Sequence, residues 1–571
     1  MPARRKPPDL IYGVDDEVPL PTCILLGLQH TFQVTTAITF ALIVIHGFSG
    51  TDEEAAFFVS MSLLAGGLAT ILQVLNRRGI GSGYFAPAVC EPAYITASLL
   101  AAKMGGLPLV FGMTAISGLF EIAVSRIVQR LRFIFTPEVT GLVVAMVGIS
   151  IIPVAVPNFL GLKEGHSTID PTVLLVSLIT FGTMVSITIW SKGKTKLYSV
   201  LIGMIVGYAA SYLFGLLGPE QFQRVFNAPL VALPNFSILR WSFDLSLIIP
   251  FAISSLCASV KTLGNITTCQ KINDLDWKRP EMQSIKRGLL SDGIGMSLSG
   301  LLGGMGQSSA SSNIGLSLAT GATSRKIAYS TGGILIALAF LPRIAEIFVI
   351  MPQPVMGATP IFAVCFIVII GLQMMMSRMM DSRKIFVLGI SLIFGLSVMG
   401  LVDVYSQIPN TLVRPILSST LYLATLLAIA LTFLFRLGLA RKVQLTLEPG
   451  KSTSDDIFSF MEIQGEAWGA RREVIYKAIS ALNEIAETVT LLNLAEEKVV
   501  VDVRFDEFNL DLSVQYHGKP FPLQDLSRSV PDLTDEGSLS GLSVDLVRKL
   551  ADKVTSNCKD GVCRVMLHFE H

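Results

Sequence analysis

Charge is what this sequence has least of. Only 15% of its 571 residues are Asp, Glu, Lys or Arg, where a soluble domain of ordinary composition carries about 25%. With a mean hydropathy of +0.60, that shortfall excludes an ordinary soluble protein and points to lipid. The deficit is uneven. Between Pro21 and Leu439 charges sit mostly in short loops, whereas the last ~130 residues have a soluble balance. A net charge of +1 offers no basic field, so no nucleic-acid partner is expected. The seven cysteines (Cys23, Cys90, Cys257, Cys269, Cys365, Cys558 and Cys563) show neither zinc spacing nor a secreted disulfide framework. No metal site and no cofactor is expected. The apolar part has no Gly-rich phosphate loop ending in Lys-Ser/Thr, so nothing there suggests primary pumping. Residues Met1–Asp15 are basic and Pro-rich without an apolar core, so a cleavable signal peptide is not expected.

What the sequence has in abundance is apolar runs. A helix needs ~17–25 such residues to cross a ~30 Å hydrocarbon layer. Fourteen candidates start near Thr22, Ala55, Tyr84, Leu107, Val139, Val173, Tyr198, Leu245, Gly288, Ser308, Ile327, Val355, Ile385 and Pro415. The third, with Pro87 and Pro92, and the tenth, rich in Ser, Gly, Ala and Thr, make poor helices. Each is third in its set of seven. Interrupted segments at matching places in two halves mark a transporter's midplane site and an inverted repeat. With the N-terminus inside, Arg77, Arg78, Arg130, Arg132, Lys192 to Lys196, Lys271 to Arg287, Arg325, Lys326, Arg378 to Lys384 and Arg436 to Lys442 all fall on the cytoplasmic side. That satisfies the positive-inside rule and returns the C-terminal region to the cytoplasm. The expected architecture is therefore an all-α polytopic membrane protein with a C-terminal α/β domain. Its parts are a cytoplasmic tail over 1–20, a transmembrane domain over 21–440 and the soluble domain over 441–571. In that domain Glu473–Val489 and Ser543–Lys553 have helical periodicity. Lys498–Phe505, Leu510–Tyr516 and Cys563–Phe569 alternate like strands.

Four stretches in order carry a resemblance. They are Gln29-His30 in the first segment, Phe135-Thr136-Pro137-Glu138-Val139-Thr140-Gly141 after the fourth, and Ser312-Asn313-Ile314-Gly315 followed by Thr320-Gly321 in the tenth. The last is Pro352-Gln353-Pro354-Val355-Met356-Gly357 before the twelfth. The tenth-segment run fits the pattern Asn-x-Gly-x4-Thr-Gly, and over about the first 440 residues the chain resembles the nucleobase–ascorbate transporter (xanthine/uracil permease) family. The resemblance implies fourteen helices in a seven-plus-seven inverted repeat, core and gate domains, elevator movement, a homodimer in the bilayer, and a proton or sodium ion as coupling partner.

Physics supports a site at the broken segments. Unwound backbone at membrane depth must face protein or an aqueous cavity, and half-helix N-termini bring partial positive charge toward a polar group. A flat purine or pyrimidine edge needs paired donors and acceptors; Ser309, Ser312 and Asn313 are placed to supply them. The family's Gln-His pair implies that Gln29 and His30 line the site, although a lone buried histidine is also often a hydrogen-bonded structural element.

Two positions depart from the family. Its substrate-gripping glutamate in the eighth segment is Lys261 here, in Val260-Lys261-Thr262-Leu263-Gly264-Asn265, while Gly264 and Asn265 fit. Its Glu or Gln before Asn313 is Ser312. Glu91 stands in Cys90-Glu91-Pro92-Ala93-Tyr94, where small or hydroxyl residues and an aromatic usually line the site, which makes Ala93 and Tyr94 candidates too. A charge inside the membrane costs ~2.5–3.5 kcal/mol on insertion scales, so Glu91 and Lys261 are functional candidates. Either they neutralise each other, or Lys261 meets an anionic substrate, or the pair exchanges the coupling proton.

The C-terminal region resembles the histidine-kinase-type ATPase fold in its anti-sigma-factor branch, through Ala478–Ala486, Tyr516-His517-Gly518-Lys519-Pro520-Phe521 and Gly541-Leu542-Ser543-Val544. The resemblance implies nucleotide contacts at Glu484, Gly518 and Gly541. Thr488 replaces the magnesium-binding Asn and Tyr516 the adenine-reading Asp, so a degenerate module that regulates or oligomerises the transporter is favoured over an active kinase. A small ligand or a regulatory protein is its expected partner. Three functions are carried forward in order: transport of a nucleobase or related heterocycle, transport of a small anion held by Lys261, and a transporter-like sensor signalling through the tail.

Overall fold

The computed structural model describes residues 5–77, 79–131, 136–162, 168–191, 195, 198–277, 280–410, 413–435, 442–450, 453–505, 509–522, 544–559 and 561–571. Phe135, Arg78, Arg132, Lys192, Lys194, Lys196, Arg436, Arg441 and Gly541 of the sequence analysis lie outside them. The chain divides into two compact units, Met1–Gln373 with Ile390–Leu427, and Met374–Gly389 with Ala428–His571.

The first unit is helical. Its elements are α1 (Leu20–Thr35), α2 (Ile38–His46), α3 (Asp52–Val74), β1 (Ala88–Cys90), a 3-10 turn (Pro92–Tyr94), α4 (Ile95–Leu131), α5 (Pro137–Leu160), α6 (Pro171–Trp190), α7 (Ser199–Leu213) and α8 (Pro219–Asn227). There follow α9 (Ile248–Asn273), α10 (Met282–Leu302), β2 (Gln307–Ser309), α11 (Ser311–Thr320), α12 (Arg325–Ala339), α13 (Pro342–Val349), α14 (Gln353–Met375), α15 (Ser382–Gly400), α16 (Val402–Ser406), α17 (Arg414–Leu417) and α18 (Thr420–Phe435), with the ends of α14, α15 and α18 passing into the second unit. Eight described helices are long and apolar enough to cross a membrane, or nine if α12 and α13, bent by 80°, form one span. The protein is a multi-pass membrane protein.

Local chemistry sets the boundaries. Helix α3 opens with a capping box, Thr51 and Glu54 each bonding the other's backbone, and with Asp52, Glu53 and Glu54 on its positive end. Its 23 residues reach ~35 Å at 1.5 Å each, enough to cross. Helix α4 breaks at Gly105 and Gly106, whose φ of −152° and 66° leave the helical region, so two helices meet there across a kink, the second beginning where the fourth expected segment starts. Helices α4 and α10 press together at small residues. A Cβ on Gly293 would lie 2.9 Å from the Gly118 carbonyl, the close approach on which membrane helix packing relies.

The two poor helices of the sequence are strands where they break. Pro87 and Pro92 flank β1; a proline lacks an amide and drives the preceding residue toward extended backbone. Strands β1 and β2 pair antiparallel, Ala88 with Ser309, Val89 with Ser308 and Cys90 with Gln307.

The second unit holds a five-stranded antiparallel sheet. Its strands β3 (Lys442–Leu447), β4 (Val499–Phe505), β5 (Asn509–His517), β6 (Lys553–Lys559) and β7 (Val562–Glu570) lie in the order β3-β4-β5-β7-β6. One face alternates inward through Val499, Val501, Val503 and Phe505, then Leu510, Leu512 and Val514, then Val565, Leu567 and Phe569. Helices α19 (Ser454–Trp468) and α20 (Arg472–Leu491) supply Ile457, Met461, Ile475, Leu482 and Ile485 to the same core. Each fully buried aliphatic side chain contributes about 1.5–3 kcal/mol. Met379 joins this core, so its role is packing. Two expectations are corrected. The last helix ends at 550, and strand β6 starts at Lys553; its inner face is Val554, Ser556 and Cys558, too weak an alternation to show in the sequence. Cys558 and Cys563, directly opposed in the β6–β7 register, form a disulfide that their spacing did not suggest.

Candidate substrate site

Antiparallel pairing of β1 with β2 sends the helices that follow them in opposite directions, so two helix starts meet at the crossing. Glu91 caps the turn into α4, and Ala310, its amide bonded to the Pro87 carbonyl at 2.8 Å, precedes α11. First-turn amides of a helix lack intrahelical partners, and here they carry partial positive charge.

Helix α9 ties the crossing together. Asn265 Nδ2 donates to the Ser309 carbonyl at 3.0 Å and to Ser309 Oγ at 2.9 Å, while its Oδ1 accepts from Ser311 Oγ at 2.7 Å. Thr262 Oγ1 lies 2.8 Å from Ser309 Oγ and donates to Asp292 Oδ2 at 2.6 Å; Ser308 Oγ donates to the same oxygen at 3.0 Å. Lys261 forms an ion pair with Glu91; the lysine side chain is 21% exposed and the glutamate 3%. The lysine therefore stands at the open edge and the carboxylate beneath it.

Helix α1 adds the other wall. His30 Nδ1 is 2.8 Å from Asn313 Oδ1, and both residues are fully buried. The remaining polar atoms of the pair, His30 Nε2 and Asn313 Nδ2, have no partner in the structure, and neither does Gln29 Nε2. A buried polar atom without a partner costs about 1–3 kcal/mol, so such atoms call for a ligand or water. Ser312, beside Asn313, is exposed. A Cβ on Gly264 or Gly315 would meet nothing within 4 Å, which leaves open space beside both helices.

A family model, Xan_ur_permease, described as a permease family, matches residues 21–404. This chain belongs to the xanthine/uracil permease family. A Clostridium perfringens (strain 13) chain that bears the name of a purine permease, CPE0397, is 30% identical over 424 residues, covering 74% of this chain and 92% of its own. Xanthine permease XanP of Escherichia coli K12 is 25% identical over 444 residues, covering 75% and 95%. The xanthine permease of Bacillus subtilis is 28% identical over 391 residues, covering 68% and 88%. Among solved structures, the murine solute carrier 26 family member A9 anion transporter aligns over 77% of this chain and 72% of its own, with a TM-score of 0.49 and 12% identity. That likeness is too loose to bear on function. The family makes the chain a transporter and not an enzyme.

In this permease the crossing brings together Glu91, Lys261, Asn265, Ser309, Ser312, Asn313 and, through Asn313, His30. Ala93 and Tyr94 sit behind it. The Ala93 carbonyl accepts from Ser254 Oγ at 2.8 Å, and the buried Tyr94 hydroxyl lies 2.7 Å from Ser117 Oγ. Sequence reasoning missed Asp292, Thr262 and Ser308, and also Glu121, a fully buried acid on α4 whose Oε1 accepts from Ser259 Oγ at 3.1 Å. The signal was present, since each acid is a lone charge in an apolar run.

In the tail, Glu484 is half-buried on α20, and Thr488 is buried with its hydroxyl donating to the Glu484 carbonyl at 2.7 Å. Tyr516 is buried, its hydroxyl unpaired, and burial pushes that hydroxyl up to about 12. Gly518, at φ +144°, donates its amide to the Gly561 carbonyl at 3.0 Å. A cavity of about 410 Å³ beside α20 is lined by Ile457, Leu482, Asn483, Ile485, Glu487 and Val489 among others.

Proposed function

We propose that this permease carries a purine nucleobase such as xanthine or urate, or a pyrimidine, by secondary transport driven by a proton or sodium gradient. One observation carries the reading: the buried His30–Asn313 pair, bonded through one nitrogen and one oxygen, with His30 Nε2 and Asn313 Nδ2 still unpaired. A nucleobase edge offers alternating acceptors and donors that satisfy such atoms, and the exposed Ser312 with the first-turn amides of α11 extends the donor set. The relatives named as purine and xanthine permeases support it. A small anion held by Lys261 is the less favoured substrate, because the lysine's charge is already matched by Glu91.

The wider reading is a fourteen-span, seven-plus-seven inverted repeat, working as a homodimer by an elevator movement, with both termini cytoplasmic. The regions are 1–20, 21–440 and a regulatory ATPase-like module over 441–571. The pairing of β1 with β2, one from each set of seven, supports the repeat.

A thermal-shift screen of the purified protein tests the substrate. A ligand of the folded state stabilises by RT ln(1 + [L]/Kd), so millimolar concentrations reveal weak substrates. Xanthine, urate or uracil should raise the melting temperature and bicarbonate or sulfate should not. Stabilisation by the anions alone would overturn the reading.

A further inference from the structure

Four ionisable groups lie close together at and behind the crossing, and their charges do not balance. Lys261 neutralises Glu91. Asp292 accepts two hydroxyl hydrogen bonds on Oδ2, from Thr262 and Ser308, the kind of solvation that supports an ionised carboxylate. Glu121 is fully buried, has one hydroxyl donor on Oε1, and its Oε2 has no partner. The charges that reach it are those of Asp292 on α10, Lys261 on α9 and Glu91 before α4, with the Tyr94 phenol also facing it. One cation thus serves three acids. Leaving a carboxylate oxygen unpaired in the interior costs far more than leaving a neutral hydroxyl there.

We infer that Glu121 is the proton-binding residue of the transport cycle, a role that rests on the proton-driven form of the function proposed above. An O–H bond forms at Glu121 Oε2 when a proton arrives from water on one side, and the same bond breaks to release the proton on the other. No bond to substrate is made. Glu91 is bound in the ion pair with Lys261 and is not the carrier. Ser259 acts as the positioning residue, holding Oε1 so that the proton resides on Oε2.

The infrared spectrum of the purified full-length protein tests this without any substrate. At neutral pH the wild type should show the carbonyl stretch of a protonated carboxylic acid. Glu121→Gln should remove that band and Asp292→Asn should leave it. Ser259→Ala, which keeps the carboxyl, should shift its frequency, and this serves if Glu121→Gln fails to fold. Absence of the band in the wild type, or its persistence in Glu121→Gln, would overturn the assignment. Proteoliposomes then test the coupling, with labelled xanthine as the probe. A one-proton symporter accumulates substrate about tenfold across one pH unit; Glu121→Gln should abolish accumulation while retaining xanthine exchange. Accumulation driven by the pH gradient in Glu121→Gln would also overturn it. If the wild type takes up no xanthine, the substrate reading fails, and the spectrum still decides the proton site.

Discussion

Lys261 and Glu91, 170 residues apart, form an ion pair whose lysine stands at the open edge of the crossing and whose carboxylate is buried. Removing one partner of such a pair strands the other charge, at a cost of about 3–5 kcal/mol when both are buried. The lysine's partial exposure puts Lys261→Ala at the lower end of that range. The double variant Lys261→Met/Glu91→Gln should recover most of the lost stability in thermal unfolding, and should not recover uptake of labelled xanthine. Recovery of both would make the pair structural only.

Asn313→Ala should cost more in transport than in folding. The substitution removes the Nδ1 partner of buried His30, worth about 1–3 kcal/mol of stability. It also removes one of the unpaired atoms assigned to the base. Xanthine uptake should fall at least ~10-fold, since each 1.4 kcal/mol is a factor of ten. Uptake within twofold of the wild type would place the substrate elsewhere.

Much of the candidate site was legible in the sequence, and the reason lies in its spacing. Asn265, Ser312, Asn313, Gln29 and His30 stood in motifs of fixed order, Ser309 was read from its place in the broken tenth segment, and Pro87 and Pro92 announced that the third segment does not continue as a helix. The strand pairing itself was not legible, because three-residue strands more than 200 residues apart leave no periodicity in either segment. Asp292 and Glu121 gave a weaker signal, a charge in an apolar run. Each is a lone acid with no motif around it, and only the fold brings α4, α9 and α10 close enough for their charges to interact. In the tail, β6 turns Val554 and Cys558 toward the core with Ser556 between them, so period-two reasoning had little apolar face to find.

Gly306→Ala offers a steric test of the crossing. A Cβ there would lie 2.7 Å from the Tyr94 ring, and that ring is locked by its hydroxyl contact with Ser117 and by packing 6.1 Å from Phe251. Overpacking of this kind costs about 1–3 kcal/mol. Because Glu91 donates its amide to the Gly306 carbonyl at 2.8 Å, the strain should reach the ion pair. A fall in melting temperature that the further change Tyr94→Phe does not relieve, but Tyr94→Ala does, would locate the strain in the ring.

The tail should not turn over ATP. The residue standing where the resemblance implies a magnesium ligand is Thr488, which is buried with its hydroxyl committed to the Glu484 carbonyl. The position that would accept from the adenine amino group holds Tyr516, whose buried hydroxyl stays protonated well past neutral pH. A protonated phenol can accept a hydrogen bond but supplies no carboxylate charge. Purified full-length protein should therefore show no magnesium-dependent ATP hydrolysis above a Glu484→Ala control, with or without nucleobase. Turnover above that control, lost on Glu484→Ala, would mean that the half-buried Glu484 works as a base without the expected metal ligand.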